Sequence, residues 1–136
     1  MATAPRAGTI PTHVEQLLQS SSYIYVATQR KNGELGSLAP IWFMYDQGKI
    51  FFTTSPDSWK ARRIAQGSPV TIRVGAEDGP LLVGRADPVT DAAYIDAMGE
   101  KYNDKYWIAW MGFFRPRGER VSTGKTVAYV VDPSEP

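Results

Sequence analysis

Six stretches of this chain read as short β-strands, and most follow one another through a turn with no helix between them. That succession constrains the fold most, because a parallel sheet needs a helical crossover between most of its strands. The cleanest stretch is Pro69–Val74, where Val70, Ile72 and Val74 alternate with Thr71 and Arg73. A period of two sends successive side chains to opposite faces, so one face meets a core and the other does not. The remaining five are Tyr23–Thr28, Gly36–Tyr45, Lys49–Thr54, Leu81–Pro88 and Lys125–Asp132. Asn32-Gly33 and Asp46-Gln47-Gly48 supply turns between them, since Asn and Gly tolerate positive φ at little cost. Pro40, in the middle of the second stretch, cannot donate to a ladder; it belongs to a sheet edge, a bulge or a site facing a ligand.

Three helical stretches are inserted among the strands. Thr12 with Glu15 reads as a capping box ahead of the apolar stripe Val14, Leu17 and Leu18. Ser55-Pro56-Asp57-Ser58 opens a second helix, with Pro56 in the favourable first position and Gly67 as the stop. Thr90 caps a third, in which Ile95, Met98 and Tyr102 share one face. The expected fold class is mainly β (α+β): a six-stranded antiparallel barrel with short inserted helices. A chain of 136 residues can bury roughly 68% of its extended surface and needs no staples to fold. Residues 1–11 are expected to be a flexible N-terminus and residues 12–136 a single domain.

Composition excludes several kinds of chemistry. With no cysteine there are no disulfides, thiolate nucleophiles or zinc ribbons. A single histidine, His13, rules out a His-based metal cluster and reads as an exposed structural residue. Lys and Arg total 15 against 14 Asp and Glu, a formal charge of +1, so no global field recruits nucleic acid or an anionic membrane. The opening Met1–Pro11 has no apolar core for a secretory signal. The longest apolar run, Ala39–Tyr45, is far short of the ~20 residues of a membrane helix. The expected location is the cytoplasm. Chemistry must come from a borrowed cofactor or from Asp, Glu, Lys, Arg, Ser, Thr and Tyr.

The junction Phe51–Arg63 is the most informative stretch. It leaves a strand, turns and opens a helix, a place where free backbone N–H groups and the helix dipole favour an anion. Hydroxyls at Thr53, Thr54 and Ser58 add neutral donors, Lys60 adds a cation, and Arg62 and Arg63 follow; Ser55–Arg63 carries a net +2. A phosphate fits this chemistry. The plainer reading is a helix capped by Ser55 or Asp57 with a solvated basic face.

Gly33-x-x-Gly36-Ser37-Leu38-Ala39-Pro40-Ile41-Trp42-Phe43, then Gly48-Lys49-Ile50-Phe51-Phe52-Thr53-Thr54, then Ser58-x-Lys60-Ala61 resembles the pyridoxamine 5′-phosphate oxidase-like split-barrel superfamily. That superfamily includes FMN-binding oxidases and reductases and enzymes using the deazaflavin coenzyme F-420. The resemblance is clear from Tyr23 to Gly75 and follows the strand order to Asp132. It implies a split barrel, usually a homodimer with two cofactor sites at the interface. Ser58 and Lys60 would hold the cofactor phosphate, Ser37, Leu38, Ala39 and Pro40 would line the ring, and Thr53 and Thr54 would lie beside the ribityl chain. The family's phosphate stretch often reads Ser-Arg-Lys; here Trp59 stands in place of the arginine, with Arg62 or Arg63 as candidate replacements. No pyridoxal-phosphate signature is visible near the C-terminus, so oxidation of pyridoxamine phosphate itself is not implied.

Trp107–Phe114 holds four large aromatic residues in eight positions. Under the resemblance it covers the flavin of a partner subunit, with Trp110 against the cofactor, or forms the dimer core; otherwise it closes one end of the barrel. Arg115, Arg117 and Arg120 are a second anion candidate, for a cofactor phosphate, a polyglutamate tail or an acidic substrate, or else a solvated loop. Gly118–Thr126 mimics a phosphate-binding P-loop with one residue too many, and it feeds a strand where that loop needs a helix. Asp91 with Asp96, or Glu100 with Asp104, mimic acid–base pairs on a solvated helix face.

The function expected is hydride transfer between bound FMN, or alternatively F-420, and a small organic substrate, with no metal and no catalytic acid singled out. The competing classes are a non-catalytic flavin-binding or sensing barrel and a nucleic-acid-binding barrel. A bound chromophore separates the first two from the third, for which salt-sensitive binding of single strands is the mark.

Overall fold

The computed structural model describes residues 10–105 and 126–136. Strand β5 (Val70–Val74) keeps the expected alternation: Val70, Ile72 and Val74 are buried, Thr71 and Arg73 only partly so. It lies between β1 (Ile24–Thr28) and β6 (Leu81–Gly84), antiparallel to both, with Val26 opposite Ile72 and Ile72 opposite Leu82. Strand β2 (Ala39–Ile41) completes this sheet in the order β2-β1-β5-β6. A second antiparallel sheet has the order β3-β4-β8-β7, from β3 (Met44–Asp46), β4 (Lys49–Thr54), β7 (Ala86–Val89) and β8 (Val127–Val131). The helices are α1 (Thr12–Ser20), α2 (Trp59–Ala65) and α3 (Ala92–Lys105). Among the described residues no helix is long and apolar enough to cross a membrane.

The described residues thus form eight strands in two four-stranded sheets where six barrel strands were expected, because two of the expected strands each bend and divide. Gly36–Tyr45 becomes β2 and β3, and Leu81–Pro88 becomes β6 and β7, each half pairing in a different sheet. The chain therefore passes from one sheet to the other at both lateral edges. Alternation persists through the first bend: Ile41, Phe43 and Tyr45 join the core between the sheets, while Trp42 and Met44 face the second core beneath α3. Pro40 sits opposite Tyr25 on β2, an edge strand, where a missing N–H costs the ladder least.

At the second bend the turn depends on Gly84. A Cβ there would lie 2.7 Å from Val131 Cγ1 and 2.9 Å from the Asp132 carbonyl oxygen, so the neighbouring strand end passes where a side chain would be. Gly84→Ala is expected to cost about 1–3 kcal/mol, as overpacking does. The check is a lower denaturant midpoint with an unchanged slope.

Sheet β3-β4-β8-β7 is covered on both faces. Ile50, Phe52, Tyr129 and Val131 point into the core shared with the first sheet, joined there by Val14 and Leu18 of α1 and Ile64 of α2. Phe51 and Ala128 point the other way, onto Ile95, Met98 and Tyr102 of α3, the three residues expected on one face. Leu17, expected in the α1 stripe, is 37% exposed. The helix starts also differ from expectation. Thr12 is the first helical residue and Pro11 the cap, so no capping box forms. Pro56 lies in the turn before α2, whose cap is Ser58. Asp91, not Thr90, caps α3, its Oδ1 accepting from the Ala93 and Tyr94 N–H groups at 3.0 and 3.4 Å. Pairing with Asp96 as an acid–base couple therefore has a plainer explanation.

Lys105 ends α3 against the first bend. Its Nζ donates to the Phe43 carbonyl oxygen at 3.0 Å and stands 3.5 Å from the centre of the Phe43 ring. Burial pushes its pKa down to about 8. An unfolded lysine keeps its proton to about pH 10.4, so between these values the unfolded state holds the extra proton and stability rises with pH. Stability should climb through roughly pH 8–10 in the native protein and stay flat there in Lys105→Met, as chemical denaturation at a series of pH values would read.

Candidate functional site

Strand β4 ends on Thr53 and Thr54, both half-buried, and the chain turns over Ser55–Ser58 into α2. Within the turn the Asp57 N–H donates to Ser55 Oγ at 3.4 Å and the Ser58 N–H to the Ser55 carbonyl at 3.1 Å. Ser58 Oγ accepts from the Ala61 N–H at 3.1 Å and from the Thr54 hydroxyl at 3.2 Å. Two accepted bonds leave the Ser58 proton to donate to an incoming acceptor. Lys60 is half-buried, and burial first, then the Arg63 charge, lowers its pKa. A bound anion would relieve that repulsion.

Arg63 leaves α2 toward β1. Its Nη1 comes within 3.5 Å of Thr28 Oγ1, the buried polar side chain of β1. Trp59, 67% exposed, lies under both neighbouring guanidinium groups, with Arg62 Cζ 5.4 Å and Arg63 Cζ 5.3 Å from its ring centre. The tryptophan in place of the family's arginine thus supports two arginines from the next turn.

Between α2 and the β1–β2 connection opens a cleft of about 620 Å³. Arg30, Lys31 and Gln29 line one wall; Trp59, Arg62 and Arg63 line the other. Among the described residues its lining holds four cations and no carboxylate. The turn that presents Arg30 and Lys31 is fixed by the Arg30 N–H on the Glu34 carbonyl at 2.7 Å, the Gly33 N–H on the Arg30 carbonyl at 2.9 Å, and Gly33 at φ +85°.

Of the residues expected at the site, Thr54 and Ser58 are joined by a hydrogen bond, and Lys60 and Arg63 sense each other's charge. Ser37 and Pro40 are exposed and Leu38 and Ala39 half-buried on the edge that follows Gly36, which itself touches Arg63. Trp110, the Trp107–Phe114 segment, and Arg115, Arg117 and Arg120 lie outside the described residues. Thr126 leads into strand β8, which a P-loop would not do. His13 is exposed. Sequence reading missed Arg30, Lys31 and Thr28; the first two were visible only as neighbours of a turn signal.

The two-sheet β fold thus carries a hydroxyl- and lysine-bearing strand-to-helix turn beside a basic cleft, an arrangement whose charge is complementary to an anionic small molecule. The chain belongs to the pyridoxamine 5′-phosphate oxidase family, whose model matches residues 10–135. Among solved structures it is similar to an F420 reductase, with a TM-score of 0.63 and 27% identity over 92% of this chain and 96% of that one. It is also similar to the haem storage protein HutZ from Vibrio cholerae, with a TM-score of 0.62 and 14% identity over 91% and 89% of the two chains. A third likeness is to an FAD- and haem-binding protein from Mycobacterium smegmatis, with a TM-score of 0.62 and 20% identity over 90% and 65%. A search of curated proteins gives no match.

Proposed function

We propose that this protein is a cytoplasmic, homodimeric split-barrel oxidoreductase that binds a flavin-type cofactor and reduces or oxidises a small organic substrate, with coenzyme F-420 favoured over FMN. The observation that carries the preference is the four-cation cleft beside the Ser58–Lys60 turn. FMN needs one phosphate site and leaves Arg30 and Lys31 without a task. F-420 extends beyond its phosphate into a chain of carboxylates, and a basic groove suits such a chain. The 27% identity to an F420 reductase across nearly the whole of both chains supports the same choice.

When bound, the cofactor ring supplies the hydride-carrying atom. The protein's part is to bind, orient and exclude water. Ser58 donates and Lys60 places its charge at the phosphate, with Thr53 and Thr54 lining the chain between phosphate and ring. Ser37, Leu38, Ala39 and Pro40 would hold the ring, with Trp110 as a further proposed cofactor residue. Arg30, Lys31, Arg62 and Arg63 hold the anionic tail.

The competing reading is a binding module without catalysis. The test is an absorption spectrum of the purified protein followed by titration with F-420 and with FMN, then turnover with reduced cofactor. Tight F-420 binding with turnover supports the reading; binding without turnover selects the module, and no binding of either cofactor removes both. Replacing Arg30 and Lys31 together by Gln should weaken F-420 at least ten-fold, flatten its salt dependence and leave FMN within about two-fold.

A further inference from the structure

We propose that Gly36 and Thr28 are positioning residues for Arg63, holding its guanidinium rigidly at the mouth of the basic cleft so that it meets an anion without first being ordered. A Cβ on Gly36 would fall 2.5 Å from Arg63 Nη1 and 3.0 Å from the Thr28 carbonyl oxygen, so the guanidinium occupies the space that glycine leaves. The Gly36 N–H donates to that same carbonyl at 2.7 Å, which pins the glycine beneath the arginine. Gly36 has no positive φ, so the close approach of the Thr28 carbonyl and the Arg63 guanidinium together, not backbone freedom, accounts for its small size. Thr28 Oγ1, buried on β1, meets Arg63 Nη1 at 3.5 Å, and the Trp59 ring supports the group from a third side.

Three supports from three chain segments restrict a side chain that otherwise carries much rotamer freedom, and ordering it in advance removes that loss from binding. Neither Gly36 nor Thr28 is required to touch the ligand; each acts through Arg63. The proposal rests on the anion-binding reading of the basic cleft given above and not on which cofactor fills it.

The test uses inorganic pyrophosphate as the anion, titrated into the protein without cofactor, and ¹⁵N relaxation of Arg63 Nε. Gly36→Ala should weaken pyrophosphate at least five-fold and Thr28→Val at least two-fold, and both should make Arg63 Nε more mobile. Neither substitution should cost further affinity once Arg63→Ala is present, because contributions made through one group do not add. Thr28→Val preserves shape and keeps the test decisive if Gly36→Ala folds poorly. Equal losses with and without Arg63, unchanged Nε relaxation, or no pyrophosphate binding by the native protein would each overturn the proposal. If pyrophosphate behaves as expected while F-420 and FMN fail to bind, the cofactor reading falls and this one stands. If F-420 binds and the coupling is absent, the reverse holds.

Discussion

Lys60→Ala is expected to lower the affinity for F-420 and for FMN alike by roughly ten- to a hundred-fold, the equivalent of about 1.5–3 kcal/mol for a hydrogen bond to a charged group. Both cofactors carry the phosphate that Lys60 is proposed to meet, so the loss should not discriminate between them, unlike the loss at Arg30 and Lys31. The environment sharpens the expectation. Lys60 is half-buried and stands close enough to Arg63 for burial and then that charge to lower its pKa. A phosphate arriving between them favours the charged amine, so the bound pKa exceeds the free one and binding takes up a proton. Affinity should therefore be full at low pH and decline as pH climbs past the lowered pKa of free Lys60. In Lys60→Ala that decline disappears, while Lys60→Arg, always charged, binds without it. Isothermal titration of native and variant proteins across a pH series reads all three. Unchanged affinity in a folded Lys60→Ala protein would remove the phosphate from this turn.

What was legible in the sequence depended on how local its cause was. Strand β5 follows from alternation over five residues and stands where that alternation puts it, and β4 matches the apolar stretch read between the Asp46–Gly48 turn and Ser55. The α2 cap was misplaced for a local reason: Ser55, Asp57 and Ser58 are all capping residue types within four positions, and Pro56 favoured the earlier start, whereas Ser58 is the cap. The bends did not announce themselves. Ile41, Phe43 and Tyr45 keep their period across the break after β2, so the pattern looks like one long strand while the backbone changes sheets. Gly84 was visible as a glycine, but its reason lies in Val131 and Asp132, nearly fifty residues away. The site divides along the same line. Ser58, Lys60 and the two threonines come from one contiguous turn and were readable as a set. The cleft joins Arg30 and Lys31 to Arg62 and Arg63 across strand pairing that no short window reveals. Thr28 and Gly36 gain meaning only once Arg63 is seen lying across them.

Phe51→Ala should produce the largest loss of stability, about 3–5 kcal/mol for truncating a buried aromatic side chain. That is a large part of the ~5–15 kcal/mol by which domains of this size are stable. Phe51 has no exposed surface and fills the second core between β4 and α3. Its ring meets Tyr94 edge-on at 5.9 Å and 72° and Tyr102 at 6.3 Å and 89°, both from α3. Truncation leaves a cavity against Ile95, Met98 and Ala128 and loosens the docking of α3 on its sheet. Because Lys105 closes that helix over Phe43, its contact should loosen with it, and the rise in stability through roughly pH 8–10 should shrink in this variant. Cofactor binding tests the separation of the two faces. Phe51 points toward α3, whereas its neighbour Phe52 packs on Tyr129 in the other core, nearer the base of the turn that carries Ser58. The folded fraction of Phe51→Ala should therefore bind F-420 within several-fold of the native protein, measured below the denaturation midpoint, while Lys60→Ala shows the opposite pattern of native stability and weak binding. A Phe51→Ala protein that stays stable would mean that the α3 core relaxes to fill the space. One that stays folded and loses binding as fully as Lys60→Ala would place the turn under the control of α3 rather than of the core between the sheets.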